Sequence, residues 1–265
     1  MSASPVTAPD AAHLLVIESA TAAVAVALAG VDGRCRASAS FDAGPAHAER
    51  LAPAVEWLGE QLGLALGPGH ADIAAVVVDV GPGLFTGLRV GVAAAKGFAL
   101  AWGLPAIGVG SLDALAWPLR HCPTPVVPVL DARRAQVYWQ LPGSPAQVGE
   151  PTELAGVLAE LPEPAVVVGD GAERYAELFA RSGAVVAGAP ERGPRVESVA
   201  ALGAAALAAG GVVTAAGLSP RYLRAPDARP PVARPPVARP PGPRSPGPRP
   251  PGPRSPDDRP TESAP

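Results

Sequence analysis

The chain of 265 residues is long enough for one large domain or two small ones, and 48% of its residues are hydrophobic. Aromatic residues make up only 4% of the chain, so small aliphatic side chains must fill its core. The formal net charge of −3 excludes a global positive field that would attract a nucleic acid or an anionic membrane. The charge is unevenly distributed, because residues 225–265 carry about +3 and the remainder about −6.

Cysteine usage and hydropathy together predict a cytoplasmic protein that does not associate with membranes. Cys35 and Cys122 lie far apart and form no CxxC pair, which favours two reduced thiols over a disulfide. The first twelve residues lack the basic segment of a signal peptide. No run of 18 purely apolar residues occurs, so we expect no transmembrane helix.

The first half of the chain predicts three strands, a helix, a strand, a helix and a short strand. These elements lie at residues 13–20, 22–30 and 34–41 (strands), 47–63 (helix), 73–80 (strand), 86–102 (helix) and 105–110 (strand). Leu51, Val55 and Leu58 recur at helical spacing in the first helix. Pro53 lies well inside that helix and is expected to kink or loosen its first turns.

The second half of the chain repeats this order of elements. Strands are predicted at 124–132, 135–142 and 146–150, followed by a helix at 151–161, a strand at 164–171, a helix at 172–183, a short strand at 184–188 and a last helix at 195–211. This order, found twice, is typical of a duplicated ribonuclease-H-like α/β fold, as in the actin and hexokinase superfamily (ASKHA). We therefore predict an N-terminal subdomain at 12–109 and a C-terminal subdomain at 110–224.

The last region, residues 225–265, is predicted to be a disordered tail. Pro-Pro-x-x-Arg units repeat in it with almost no large apolar residue. Such a segment cannot bury enough surface to offset its chain entropy, and its composition favours polyproline II structure. Its PxxP motifs would suit an SH3-like or acidic partner, and a solvated tail without a partner is the alternative.

The glycine-rich stretch DVGPGLFTGLRVG, residues 79–91, joins a predicted strand to a predicted helix. A Walker A loop requires GxxxxGK[ST], but Lys96 is followed by Gly97, and GPGLFTG is one residue longer than a dinucleotide fingerprint. Ser111 does not lie in the GxSxG pattern of a nucleophile elbow. We therefore expect no phosphate loop here, and Thr86 is interpreted as the N-cap of the following helix.

Small residues form a stripe at helical spacing along that helix. The stripe comprises Gly87, Gly91, Ala94 and Ala95 and is followed by Phe98. A close contact with a partner helix would offset the cost of about 0.5–1 kcal/mol for each glycine, and packing on the protein's own sheet is the alternative. If Gly91 faces outward, Gly91→Leu should displace a partner and leave the monomer folded. Lys96, the only lysine, would then provide a charge for a partner carboxylate.

Candidate catalytic and metal-binding groups are few. The four histidines show no metal-ligand spacing, so we predict neither a metal site nor catalytic residues. Glu18 ends the first strand, where the duplicated fold usually has an Asp that holds a magnesium–phosphate, and Asp131 is the matching acid of the second half. These two acids are a candidate vestigial nucleotide site, and turn-capping carboxylates are the alternative.

Five ordered sequence blocks resemble the TsaB family, also called YeaZ. They are LLVIESATAAVAVAL, HAERLAPAVEWL, the stretch from VVVDVGPGLFTGLRVG to GVGSLDALA, LDARRAQVYW and LSPRYLR, and they cover nearly all of residues 13–224. The resemblance implies a non-catalytic subunit that supports formation of N6-threonylcarbamoyladenosine beside the anticodon of tRNAs that read ANN codons.

The resemblance also implies partners and a docking surface. TsaB proteins dimerise with the catalytic subunit TsaD, the ATPase TsaE joins the pair, tRNA binds through the complex, and ATP and a divalent metal belong to the partner subunits. The implied surface lies on the helices at 47–62 and 86–102, and a homodimer is expected when the chain is alone. The candidate interface residues are His47, Glu49, Arg50, Leu51, Gly87, Leu88, Gly91, Ala95, Lys96 and Phe98.

The chain departs from the family pattern where the first strand ends. Asp-Thr-Ser-Thr is usual there, and this chain has Glu18, Ser19, Ala20 and Thr21. The longer acid and the lost hydroxyl weaken the prediction that this subunit binds nucleotide alone. Two enzymatic alternatives remain: a small ATP-dependent phosphotransferase of the same fold that uses Glu18 and Asp131, and a glycoprotease-like peptidase, which no motif supports.

Overall fold

A computed structural model describes residues 12–42, 47–69, 72–188 and 192–224. These residues form two five-stranded sheets with helices packed against them. The predicted disordered tail, residues 225–265, lies outside the described residues.

The first sheet combines an antiparallel half with a parallel half, in the order β3-β2-β1-β4-β5. Its strands are β1 (His13–Glu18), β2 (Ala23–Gly30), β3 (Cys35–Asp42), β4 (Ile73–Gly81) and β5 (Ala106–Gly110). The β1, β2 and β3 strands pair antiparallel, whereas β4 runs parallel to both β1 and β5. The central strands β1 and β4 are nearly continuous apolar runs, because helices cover both faces of the sheet.

Alternation along β1 directs its side chains to two different cores. Leu15 and Ile17 pack with helices α1 (His47–Leu62) and α2 (Phe85–Trp102). Leu14 and Val16 pack on the other face with α7 (Val196–Ala208). The same alternation places Glu18, the last residue of β1, on the α7 face of the sheet.

The second sheet repeats the topology of the first, in the order β10-β9-β6-β7-β8. Its strands are β6 (Val126–Arg133), β7 (Gln136–Trp139), β8 (Gln147–Gly149), β9 (Val166–Val168) and β10 (Val185–Val186); the accompanying helices are α3 (Ser111–Ala116), a 3-10 turn (Trp117–Leu119), α4 (Pro151–Ala159), α5 (Asp170–Arg174) and α6 (Ala176–Arg181). Read from β8 to β10, the strand order is that of the first sheet. The predicted duplicated α/β fold is therefore confirmed, and the subdomain boundary between residues 109 and 110 stays a prediction.

Several local predictions differ from the structure. The single helix predicted at 172–183 is two short helices that meet at Tyr175, whose φ of −114° and ψ of 29° interrupt the helical conformation. Thr86 is not an N-cap, because α2 begins at Phe85 and Leu84 occupies the capping position. The amide of Leu84 donates to the carbonyl of Ala20 at 2.8 Å, which joins the start of α2 to the β1–β2 turn.

The predicted small-residue stripe of α2 faces the protein's own core. The hydroxyl of Ser19 donates to the carbonyl of Gly87 at 2.9 Å. A Cβ atom on Gly87 would overlap the carbonyl oxygen of Ser19, and one on Gly91 would overlap its hydroxyl. The proposal that these glycines and Ala95 contact a partner is therefore wrong, because the β1–β2 turn and the sheet already fill the space beside them.

We expect Gly87→Ala to lower the free energy of unfolding by about 1–3 kcal/mol, because the added methyl group collides with main-chain atoms of Ser19. Gly97 lies on the exposed side of the same helix with open space around its Cα, so Gly97→Ala should raise that free energy by about 0.5–1 kcal/mol. Urea denaturation measures both values. Equal effects of the two substitutions would contradict the close contact between α2 and the β1–β2 turn.

Candidate functional site

The outer faces of α1 and α2 form an exposed surface with large apolar side chains. Leu100 is 79% exposed and Trp57 is 49% exposed. Phe98 and Trp102 are half-buried, and their ring centroids lie 5.0 Å apart. Both helices pack on one face of the first sheet and share one core cluster, so their outer surfaces lie side by side.

The structure divides the predicted interface residues into three groups. Glu49 and Arg50 are exposed, and Lys96 and Phe98 are half-buried at the edge of the outer surface. The side chain of His47 lies outside the described residues. The remaining residues are buried and do not belong to the surface: Leu51, Gly87, Leu88, Gly91 and Ala95.

A second row of small residues runs along the exposed side of α2. Ala93, Gly97 and Ala101 recur every four residues, and all three are exposed. They lie on one stripe because residues four apart share a helix face. This row was not predictable from the sequence, because α2 carries small residues on several faces and their spacing does not show which face is buried.

Two buried carboxyl groups lie at the carboxyl ends of the neighbouring parallel strands β1 and β4. Ile17 is paired with Val78, so Glu18 and Asp79 follow at adjacent positions, with exposed fractions of 2% and 0%. The Oδ1 atom of Asp79 accepts hydrogen bonds from the hydroxyl of Ser111 at 2.5 Å and the amide of Gly81 at 2.8 Å. Its Oδ2 atom has no hydrogen-bond partner among the described residues.

Burial raises the pKa of both carboxyl groups. Burial raises the pKa of Asp79 to about 7, although hydrogen bonds from Ser111 and Gly81 oppose the shift. Burial, and secondly the neighbouring Asp79, raise the pKa of Glu18 well above its usual value. Glu18 was predicted from the sequence as a candidate ligand, whereas Asp79 was not. The signal for Asp79 was an acidic residue inside the otherwise apolar run VVVDV.

Asp131, the second candidate nucleotide ligand, is held by arginines. Its Oδ2 atom pairs with Arg133 at 3.2 Å and Arg174 at 3.0 Å, and its Oδ1 atom accepts the amide of Arg133 at 2.9 Å. Glu18 instead lines a cavity of about 420 Å³ beside the start of α7, and Asp131 does not line it. Because it accepts the amide of the residue two positions on, Asp131 has the geometry of a turn-capping carboxylate.

Three further features of the described residues concern metal binding, cysteine chemistry and membrane spans. Across the described ranges, no group of three or more His, Cys, Asp or Glu side chains could hold a metal ion. Cys35 and Cys122 are free thiols. None of the helices in the described part of the chain combines the length and apolar character that a membrane span requires.

Comparison with known proteins identifies the family. A family model described as "TsaD: tRNA N6-adenosine threonylcarbamoyltransferase" matches residues 41–157. The tRNA threonylcarbamoyladenosine biosynthesis protein TsaB of Escherichia coli is 32% identical over 226 residues, which cover 80% of this chain and 94% of that protein. The chain belongs to the TsaB family. The resemblance noted in the sequence is thereby confirmed.

This chain is also similar to a solved structure and to a longer mycobacterial protein. The solved structure of YeaZ from Pseudomonas aeruginosa matches with a TM-score of 0.67 and 27% sequence identity, covering 80% of this chain and 100% of that one. An uncharacterised protein of Mycobacterium leprae is 41% identical over 171 residues, or 59% of this chain. The chain spans only 45% of that relative's length.

We expect Asp79→Asn to flatten the dependence of stability on pH. The unfolded carboxyl titrates near pH 4 and the folded one near 7, so the folded state alone retains the proton between these values. The contribution of Asp79 to the stability of the folded state is therefore fully present below about pH 4 and is lost as pH rises to about 7. Between pH 5 and pH 8 the free energy of unfolding should therefore fall less in Asp79→Asn than in the wild type. The difference should be on the order of 1–3 kcal/mol, because the variant lacks this titrating carboxyl.

Urea denaturation at pH 5, 6, 7 and 8 measures this effect. Asparagine keeps an oxygen for the hydrogen bonds from Ser111 and Gly81, so the substitution preserves local geometry. Asp42→Asn at the exposed end of β3 is the matched control and should follow the wild type. A wild-type pH dependence that persists in Asp79→Asn would show that Asp79 is not the titrating group.

Proposed function

We propose that the protein is a non-catalytic subunit of a complex that forms N6-threonylcarbamoyladenosine beside the anticodon of tRNAs that read ANN codons. Membership of the TsaB family carries this proposal, since the E. coli relative is named for threonylcarbamoyladenosine biosynthesis and is matched over 94% of its length. In the proposed complex the chain forms a heterodimer with TsaD, TsaE joins the pair, and the complex works in the cytoplasm. In this proposal the partner subunits bind ATP and the divalent metal and carry out the chemistry on tRNA.

The state of the two candidate nucleotide ligands supports a scaffold over a phosphotransferase. Asp131 is already neutralised by Arg133 and Arg174. Glu18 is buried beside Asp79, with a raised pKa that disfavours the charged form a magnesium ion would require. Neither acid offers a free carboxylate for a magnesium–nucleotide, so we assign no catalytic role to them.

The outer faces of α1 and α2 are the proposed docking surface for TsaD. Trp57 and Leu100 provide exposed apolar anchors, which are the kind of residue that dominates binding energy at interfaces. The row of Ala93, Gly97 and Ala101 would let a partner helix approach closely. This surface replaces the buried stripe that the sequence suggested.

The likeness to TsaD itself supports the choice of partner. The matched TsaD family segment, residues 41–157, includes both α1 and α2. Two chains that share this pair of helices can meet about an approximate two-fold axis, with equivalent faces in contact. The same geometry permits a homodimer of this chain in the absence of TsaD.

We expect Gly97→Leu and Leu100→Glu each to weaken binding to TsaD of the same organism by at least about tenfold. The leucine blocks close approach of a helix, and the glutamate would place a charge in the apolar contact. Size-exclusion chromatography with light scattering detects the complex, and titration calorimetry measures its affinity. Circular dichroism checks that each variant is folded.

Val185→Glu provides the matched control, because Val185 is 58% exposed but lies in the second sheet. It should bind TsaD like the wild type. Unchanged binding by both α2 variants would exclude this docking surface. Separate peaks for wild-type protein and TsaD, with and without TsaE and ATP, would reject the proposed function.

A further inference from the structure

The strands at the edges of the two sheets differ in length and in what lies beside them. In the second sheet, the edge strands β8 and β10 are only three and two residues long. In the first sheet, the edge strand β5 forms a bridge from Ala106 to Val213, which lies beside it. The opposite edge, β3, is eight residues long, and among the described residues only β2 pairs with it. A long edge strand presents backbone amide and carbonyl groups with which another strand can pair.

The β3 strand has few of the features that usually protect an edge from such pairing. Proline, lysine, short length and bulges are the common ones. Residues 35–42 contain neither proline nor lysine. The one register shift lies at the start of the strand, between the pairs made by Cys35 and Ala37, and the strand pairs regularly with β2 from Ala37 to Asp42. This regular segment is therefore a template for a further strand.

A groove between β3 and α1 opens at this edge of the sheet. Its volume is about 610 Å³, and its apolar lining consists of Ala39, Phe41, Pro53, Ala54 and Trp57. Trp57 remains 49% exposed. A chain that pairs with β3 would therefore also cover apolar surface on α1, which a strand pairing with an isolated edge would not.

We propose that the β3 edge binds β3 of a second copy of this chain, in an antiparallel pairing centred on Ala39. The two five-stranded first sheets then form one continuous sheet of ten strands. A two-fold axis at Ala39 places Ser38 of each copy opposite Ser40 of the other, where the two hydroxyl groups can form a hydrogen bond. It places Ala37 opposite Phe41, a small side chain beside a large one, and both belong to the α1 face of the sheet.

The charges of this edge favour a second copy in the antiparallel orientation. Arg34 and Arg36 are exposed at the start of β3, and Asp42 is exposed at its end. Antiparallel pairing brings the start of each strand beside the end of the other, so opposite charges meet at both ends. Parallel pairing would instead bring like charges together. Arg36 already pairs with Asp32 at 2.9 Å, so this attraction depends chiefly on Arg34.

The proposed pairing also brings two copies of α1 together. In each copy α1 packs over β2 and β3 on one face of the sheet, and a two-fold axis perpendicular to the sheet keeps both helices on that face. From the usual spacing of neighbouring strands, the axes of the two helices would lie about 10 Å apart, close to the usual distance between packed helices. Trp57 of each copy then lies in the contact between the helices, and this burial adds to the area of the strand pairing.

This contact differs from the proposed docking surface for TsaD. It uses the side of α1 that faces β3, whereas α2 packs over β1, β4 and β5 and carries Gly97 and Leu100 away from that edge. The inference concerns the chain alone and does not rest on the proposed function.

Sedimentation velocity of the full chain alone tests the proposal. We expect the wild type to dimerise with a dissociation constant in the micromolar range. The double variant Ser38→Lys/Ser40→Lys should dimerise at least about tenfold more weakly, because like charges then face each other across the strands. Both serines are exposed, so the variant should fold, which circular dichroism checks. Gln147→Lys/Thr152→Lys adds two lysines at exposed positions of the second half and should dimerise like the wild type.

Mixing variants of opposite charge distinguishes a direct contact from damage to the fold. Ser38→Glu/Ser40→Glu alone should dimerise as poorly as the lysine variant. An equimolar mixture of the two variants should dimerise at least as tightly as the wild type, because each lysine then faces a glutamate. Failure of the mixture to dimerise would overturn the proposal. A wild type that stays monomeric at about 100 µM would overturn it as well, and so would an equal loss in the control with added lysines.

Cross-linking tests the register. In a chain with Cys35→Ser and Cys122→Ser, Ala39→Cys places two thiols directly opposite each other, with Cβ atoms about 4.5–5.5 Å apart. Ala37→Cys is the matched control, because its two copies lie four residues apart along the strands, or about 13 Å. We expect copper-catalysed oxidation to form the covalent dimer at least about tenfold faster with Ala39→Cys. Equal or faster cross-linking through Ala37→Cys would contradict this pairing.

Variants of α2 separate this dimer from one formed through the outer helix faces and from the proposed function. Gly97→Leu and Leu100→Glu should dimerise like the wild type even though they are expected to bind TsaD weakly. Loss of the dimer in these variants, with no loss in Ser38→Lys/Ser40→Lys, would assign the dimer to the helices and overturn the inference alone. A dimer that follows the expected pattern in a chain that does not bind TsaD would overturn the proposed function alone.

Discussion

The close contact between α2 and the β1–β2 turn determines much of the architecture of the first half. Gly83, Gly87 and Gly91 recur every four residues, and a Cβ atom at any of them would overlap atoms of Ser19 or Ala20. Hydrogen bonds from Ser19 to Gly87 and from Leu84 to Ala20 hold the two segments together. The glycines of this motif thus accommodate the protein's own backbone, whereas glycines of a phosphate loop leave room for a ligand.

That contact also determines which groups remain available for chemistry or recognition. Since the turn occupies the inner side of α2, only its outer side is available to another protein. The turn follows Glu18 directly, and the amide of Ala20 donates to the Glu18 carboxyl group at 2.8 Å. In this chain Glu18 is thus part of a buried pair with Asp79, and burial raises the pKa of both carboxyl groups.

The fold was largely predictable from the sequence, and the site was predictable only in part. Apolar runs such as those of β1 and β4 indicate strands, and their order indicates the duplicated topology. The orientation of α2 was not predictable, because small residues occur on both of its sides and either row could face the sheet. Asp79 was missed although its signal, an acid inside the apolar run VVVDV, is local. The pairing of Asp131 with Arg174 was not predictable, because it joins segments far apart in the sequence.

Because aromatic residues are scarce in this chain, tryptophan fluorescence can report on the exposed surface of α1 and α2. The chain has four tryptophans, and two of them, Trp57 and Trp102, lie on these helices. Trp139 is buried in the second half, where its surroundings are fixed by the core. Any protein that covers the outer face of α1 must remove water from Trp57, so intrinsic fluorescence reports directly on the occupancy of that face without an attached label.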